Sequence, residues 1–247
     1  MAGLTRQAAV ARVLASKSLT LQLRCDAADI LTGLRPAARV MVRPGVEARL
    51  CVELLVSTGL SVSVARGFVL QQVRRSGGVI DWRSQGEGAP HDEKFVVLYC
   101  ARHQKIADDA RARDESKDDT AFGLSLGYPR CCVARVARVG RVPEHREVFL
   151  LYASNGVYSP LCWPGAMSRD ASLLVHYPCS ASCEHSRVLA ASRLEYIRES
   201  APADVLEKVR KAHLQTYWLT ETGTVCSGVS APFNCLASAS PDSPLYP

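Results

Sequence analysis

Two stretches of this chain share one grammar: "LGYPRCCVARVARV" at 126–139 and "HYPCSASCEHS" at 176–186. Each has a Tyr-Pro pair (Tyr128-Pro129, Tyr177-Pro178), each places cysteine one or two residues later, and each then runs into helix-like sequence. Proline holds the residue before it extended and is tolerated at a helix start, so both stretches predict a turn that feeds a helix N-terminus. The unpaired N–H groups and partial positive charge at such an end favour thiolate over thiol, the form that binds metal or attacks an electrophile. Any fold of this chain has to accommodate two such cysteine-bearing helix starts.

The chain holds ten cysteines, many for a reducing compartment, where disulfides are rare. Cys25, Cys51 and Cys100 each sit alone among apolar neighbours and read as small buried hydrophobes with no disulfide partner. Cys226 and Cys235 lie in a Ser-, Ala- and Pro-rich tail that lacks apolar periodicity and is expected to be largely flexible. Of the five that remain, Cys162 stands in the loop-like "SPLCWPGAM", and Cys131, Cys132, Cys179 and Cys183 lie in the two doubled motifs.

Around them the pattern is α/β, with mixed α+β open: a central sheet with flanking helices, and the cysteine motifs at helix N-termini. "AADILTGL" after Asp26 and "VEARLCVELLVSTG" have helical spacing, "LSVSVAR" alternates like a half-buried strand with "GFVLQQVRR" as its partner, and "KFVVLYCAR" is the strongest strand. "HQKIADDARARDESKDD" predicts a helix that dissolves into a charged linker. "PEHREVFLLYASNG" predicts a helix from Pro143 to the Asn155-Gly156 stop, "SLLVHYP" a strand ending near His176, 182–198 and 202–214 two further helices, and "TYWLTETGTV" a closing strand or hairpin. Regions 1–115, 116–222 and 223–247 follow as an N-terminal α/β part, the cysteine-motif part and the tail, within what could be one domain.

With 47% apolar residues the chain can build a full core for one large or two small domains. No apolar run reaches the roughly 18–20 residues a bilayer span needs, and the N-terminus lacks a secretory signal, so a cytoplasmic location without membrane partner is expected. The formal charge of +6 comes from scattered bases without interleaved aromatics, which argues against a nucleic-acid partner. Arg135, Arg138 and Arg141 read as a solvated helix face or as an anion-gathering group.

The pair "LGYPRCCV" and "HYPCSASCEHS" is similar to the paired G-Y-P-x-C-C and H-x-P-C-S-x-x-C motifs of an uncharacterised prokaryotic family of unknown function, over about residues 94–200. The resemblance implies that Gly127, Pro129, Cys131, Cys132, His176, Pro178, Cys179, Ser180, Cys183 and Ser186 belong to one site. It implies no activity.

Three chemistries suit these residues. In the first, Cys179 and Cys183 form a C-x3-C pair completed by Cys131 or Cys132, with His176 or Cys162 as a further ligand. Thiolates select zinc, an iron–sulfur cluster or copper over magnesium or calcium, and the spacing leaves iron–sulfur and zinc undecided. Tandem side chains at a helix start diverge by roughly 100° about the axis, so Cys131 and Cys132 are not expected to serve one centre as equals. The second is metal-free thiol catalysis, with Cys132 as nucleophile and His176 as base or orienting group. In the third the cysteines are buried packing residues of a binding module. The metal reading, in an enzyme acting on a small molecule, is the one taken forward. Ser180 and Ser182 read as helix N-caps, His185 as a residue turned away from the cysteines, and Trp163 as a pocket wall or loop packing.

Overall fold

The computed structural model describes residues 5–72, 79–81, 93–139, 172–180, 182–219 and 225–229. The expected helix from Pro143 to Gly156, together with Arg141, Cys162, Trp163 and Cys235, lies outside the described residues. The fold is mixed α+β and divides into two compact units, Met1–Gly127 and Tyr128–Pro247.

The first unit opens with α1 (Arg6–Ala15) and α2 (Leu21–Thr32), capped by the Thr5 and Thr20 hydroxyls, which accept from Ala8 N–H and Leu23 N–H. Helix α2 thus starts well before Asp26, the residue after which the pattern predicts helix. Asp26 is a buried interior position whose carboxylate accepts from Gln22 and pairs with Arg35 at 3.2 Å. At its far end α2 closes on Gly33 in the left-handed region, and Arg102 donates to the Ile30 and Leu31 carbonyls.

Strands β1 (Ala37–Val42), β2 (Ser61–Gln72), β3 (Val79–Asp81) and β4 (Glu93–Ala101) make one antiparallel sheet in the order β1-β4-β2-β3, with α3 (Val46–Ser57) joining β1 to β2. Since β1 and β2 both run antiparallel to β4, they are parallel to each other with β4 inserted between them. The predicted pair "LSVSVAR" and "GFVLQQVRR" is one strand: the glycine-containing junction is absorbed as a register shift between Val64 and Phe68 instead of a turn.

The register places Arg39, Tyr99 and Ser63 on one face. There α4 (Gln104–Glu115) meets them: Tyr99 OH donates to Asp114 Oδ2 at 2.6 Å, Arg39 pairs with the same carboxylate at 3.3 Å, and Ser63 donates to Asp108. Cys100, with its side chain on the other face, is buried beneath Asp26 of α2 and Cys51 of α3. Helices therefore cover both faces of the sheet.

The charged stretch after α4 is a short turn into α5 (Asp119–Ser125), whose N-cap is Asp118. Then comes Gly127 at φ +79°, where a Cβ would lie 2.7 Å from Pro36 Cδ. The same corner is tied by Arg35 Nε donating to the Leu126 carbonyl at 3.0 Å.

In the second unit α6 (Arg130–Val139), α7 (Glu184–Ser200) and α8 (Ala203–Leu214) are followed by a hairpin of β5 (Gln215–Leu219) and β6 (Val225–Val229). The predicted strand "SLLVHYP" is not a strand. Ser172, Leu173, Leu174 and His176 are all buried, so the run has no exposed alternate face. Its backbone is satisfied by side chains instead of a ladder: Leu173 N–H donates to His213 Nε2, Leu174 N–H to the Ser172 hydroxyl, and the fully enclosed Arg193 donates to the Ser172 carbonyl.

Candidate metal centre

Helix α6 begins as the Tyr-Pro turn predicts, with the Pro129 carbonyl accepting from Cys132 N–H and Val133 N–H. This puts Cys131 and Cys132 in its first turn. Cys183 is the N-cap of α7: its carbonyl accepts from Arg187 N–H, while its own N–H turns back to the Ser180 carbonyl. Ser180 and Ser182 are therefore not the caps. Cys179 enters from the preceding loop, held there by its N–H, which donates to Cys132 Sγ at 3.3 Å.

All four sulfurs lie within 4.8 Å of one another. Cys132 and Cys183 are 3.6 Å apart, Cys131 and Cys183 3.8 Å, and Cys131 and Cys132 3.9 Å. The last value departs from the expected divergence of tandem residues. The backbone step separates their Cβ atoms, but each thiol still turns about χ1, and the two converge. Their surroundings do differ: Cys132 is buried and Cys131 exposed.

Ser186, in the first turn of α7 and fully buried, lies behind the sulfurs. Its hydroxyl donates to Cys183 Sγ at 3.3 Å and is 3.4 Å from Cys132 Sγ and 2.9 Å from His176 Nε2. His176, expected as a ligand or base, thus stands one side chain back from the sulfurs, with its ring 5.1 Å from that of Tyr128. His185, expected to point away, instead has Nδ1 3.9 Å from Cys131 Sγ. Its closeness to Cys183 in sequence was the available signal, but helical spacing alone set it opposite.

Of the ten positions grouped by the paired motifs, Cys131, Cys132, Cys179, Cys183, Ser186 and His176 converge. Pro129 and Ser180 supply turn carbonyls, and Gly127 has its own reason in the tight corner beside Pro36.

The electrostatics are uneven. Burial works to raise the Cys183 thiol, but hydrogen bonds from the Ser186 hydroxyl and backbone and from Cys179 and Cys132 outweigh it and bring the group down to about 7. Cys179 is pushed up to about 11, by burial first and then by its thiol neighbours. Cys132 is also raised, by burial first, against the hydrogen bonds from Ser186 and Cys179 N–H. Metal-free, the cluster gives up one proton readily and the next reluctantly. A bound cation reverses that order of preference by favouring every thiolate.

No protein-family model, curated protein or solved structure matches the chain. The centre is therefore read from its geometry: four close cysteines able to hold a metal, in a chain with no helix, among the described residues, long and apolar enough to cross a membrane.

Proposed function

We propose that the chain is a zinc protein in which Cys131, Cys132, Cys179 and Cys183 hold one ion in a closed tetrahedral shell. The sulfur separations of 3.6, 3.8 and 3.9 Å carry this reading. Four thiolates at about 2.3 Å from one zinc lie about 3.8 Å from each other. An iron–sulfur cluster distributes its thiolates over different irons and so calls for a wider set of sulfurs. A shell of four protein ligands leaves no open position, which is the pattern of a structural zinc site. Its work here is to tie the first turns of α6 and α7 to the loop that carries Cys179.

Elemental analysis and an absorption spectrum of anaerobically purified protein test the proposal. One zinc per chain and no visible absorption are expected. Iron with acid-labile sulfide overturns it, as does protein that neither carries nor takes up metal.

The exposure of Cys131 favours a second reading, thiol chemistry on a small electrophile. In it the Cys131 thiol gives its proton to solvent, the thiolate attacks carbon, an S–C bond forms, and the leaving group departs with its electron pair. Iodoacetamide should then modify Cys131 ahead of Cys132, Cys179 and Cys183, with iodide released. Modification of all four at one rate, or of none, rejects this reading.

A further inference from the structure

We infer that Ser186 and His176 act as one positioning pair for the metal centre, His176 Nε2–H donating to Ser186 Oγ and the Ser186 hydroxyl donating in turn to the Cys183–Cys132 edge of thiolates. The inference rests on the zinc reading and goes beyond it to the groups that set the charge on the sulfurs.

Proton counting carries the argument. A metal-bound thiolate has no proton and can only accept. The Ser186 hydroxyl has a single proton, and it donates to Cys183 Sγ at 3.3 Å with Cys132 Sγ at 3.4 Å. The 2.9 Å contact between Ser186 Oγ and His176 Nε2 then needs a proton from the ring. With Nε2 protonated, the hydroxyl is held pointing at sulfur. With Nε2 bare, the ring would compete with the thiolates for the same proton. His176 therefore decides which way Ser186 points.

Charge explains why the direction matters. A divalent ion with four thiolates leaves an excess negative charge, and Cys132 and Cys183 are buried. Cys179 N–H already donates to Cys132. At Cys183 the Ser186 hydroxyl adds a second donor to that of the Ser186 backbone, and Ser186 itself is wholly removed from solvent, so no water can replace the hydroxyl without rearrangement. His176 also packs against Tyr128, and a purely structural role would rest on that ring contact.

Substitutions in the full-length, reduced protein separate the two roles, with Co2+ as the spectroscopic probe and Zn2+ as the competitor. Ser186→Ala should move the thiolate-to-cobalt charge-transfer band to longer wavelength and weaken metal binding by about 10- to 100-fold. His176→Phe keeps a ring for Tyr128 but has no donor, and should reproduce the Ser186→Ala shift. His176→Gln loses the ring but offers an amide N–H, and should stay near the wild-type spectrum. The double variant His176→Phe/Ser186→Ala should shift no further than Ser186→Ala alone, because His176 acts through Ser186. The opposite ranking, with Phe like wild type and Gln impaired, overturns the inference, as does an additive double variant. If Ser186→Ala does not fold, the Phe-versus-Gln ranking still decides. Wild-type protein that binds neither Co2+ nor Zn2+ defeats the zinc reading itself, whereas wild-type binding with unshifted variants defeats only the pair.

Discussion

Among the four clustered cysteines, Cys131 is the exposed one, and His185 Nδ1 lies 3.9 Å from its sulfur. An exposed thiolate with an imidazole at hand is the easiest ligand to replace. Serine at Cys132, Cys179 or Cys183 should abolish zinc retention through dialysis, since a neutral hydroxyl does not substitute for thiolate. Cys131→Ser should keep close to one zinc per chain with His185 in its place, and Cys131→Ser/His185→Ala should lose it. Equal loss in all four single variants would show that His185 does not ligate. Gly127 is held by its backbone conformation and by the corner it fills. Alanine there meets both a left-handed backbone and Pro36 Cδ at 2.7 Å, so Gly127→Ala should destabilise the first unit by about 1–3 kcal/mol in urea unfolding while leaving zinc stoichiometry unchanged.

The first turns of α6 and α7 bring their sulfurs to one point, which makes metal binding a protonation event at the level of these elements. Near neutral pH the thiols raised by burial, Cys132 and Cys179, still carry protons, while Cys183, at about 7, is partly ionised. Zinc takes thiolates, so on the proposed binding at least the protons of Cys132 and Cys179 must be expelled. Affinity should therefore fall as pH falls, by about two decades per pH unit above pH 7 and about three or more below it, where Cys183 is protonated as well. Calorimetric titration of zinc in buffers of different ionisation heat counts the protons directly. A count near zero would mean that the cluster is already ionised or does not bind as proposed.

The two compact units should answer to different agents. If the second unit holds zinc as proposed, the ion stabilises its native form over its unfolded chain, so a chelator should lower the thermal transition of that unit. The first unit should respond to alkali. Burial raises the thiols of Cys51, with Glu47 adding to it, and of Cys100, with Asp26 adding to it, each to about 12. In the unfolded chain they ionise near 8.5. Their contribution is thus intact below pH 8 and drains away between about 8.5 and 12, because only the unfolded state releases the proton in that window. The loss should be about 1–2 kcal/mol per cysteine by pH 10. Urea midpoints of the first unit at pH 8 and pH 10 measure it, and Cys51→Ala should reduce the difference.

Local rules sufficed wherever neighbours in sequence do the physical work. The Tyr-Pro turn into α6, the periodic helices α3, α7 and α8 and strand β4 all follow from patterns a few residues long, whereas the closing hairpin was legible only in β5: its second strand, β6, takes Val225–Val229 with Cys226 out of the stretch expected to be a flexible tail. They failed where partners come from afar. "SLLVHYP" has the composition of a strand, yet its backbone is satisfied by Arg193 and His213, 21 and 40 positions beyond the residues they bond. Asp26 resembles a helix cap until Arg35 is seen to claim its carboxylate. Composition and spacing were enough to single out Cys131, Cys132, Cys179 and Cys183 as one chemical group. Only the tertiary structure could bring thiols 51 and 52 residues apart to 3.6 and 3.8 Å, set Ser186 between His176 and the sulfurs, and turn His185 toward Cys131. These distances depend on where helix starts are placed in space and how side chains rotate there, and neither is encoded in the spacing of residues along the chain.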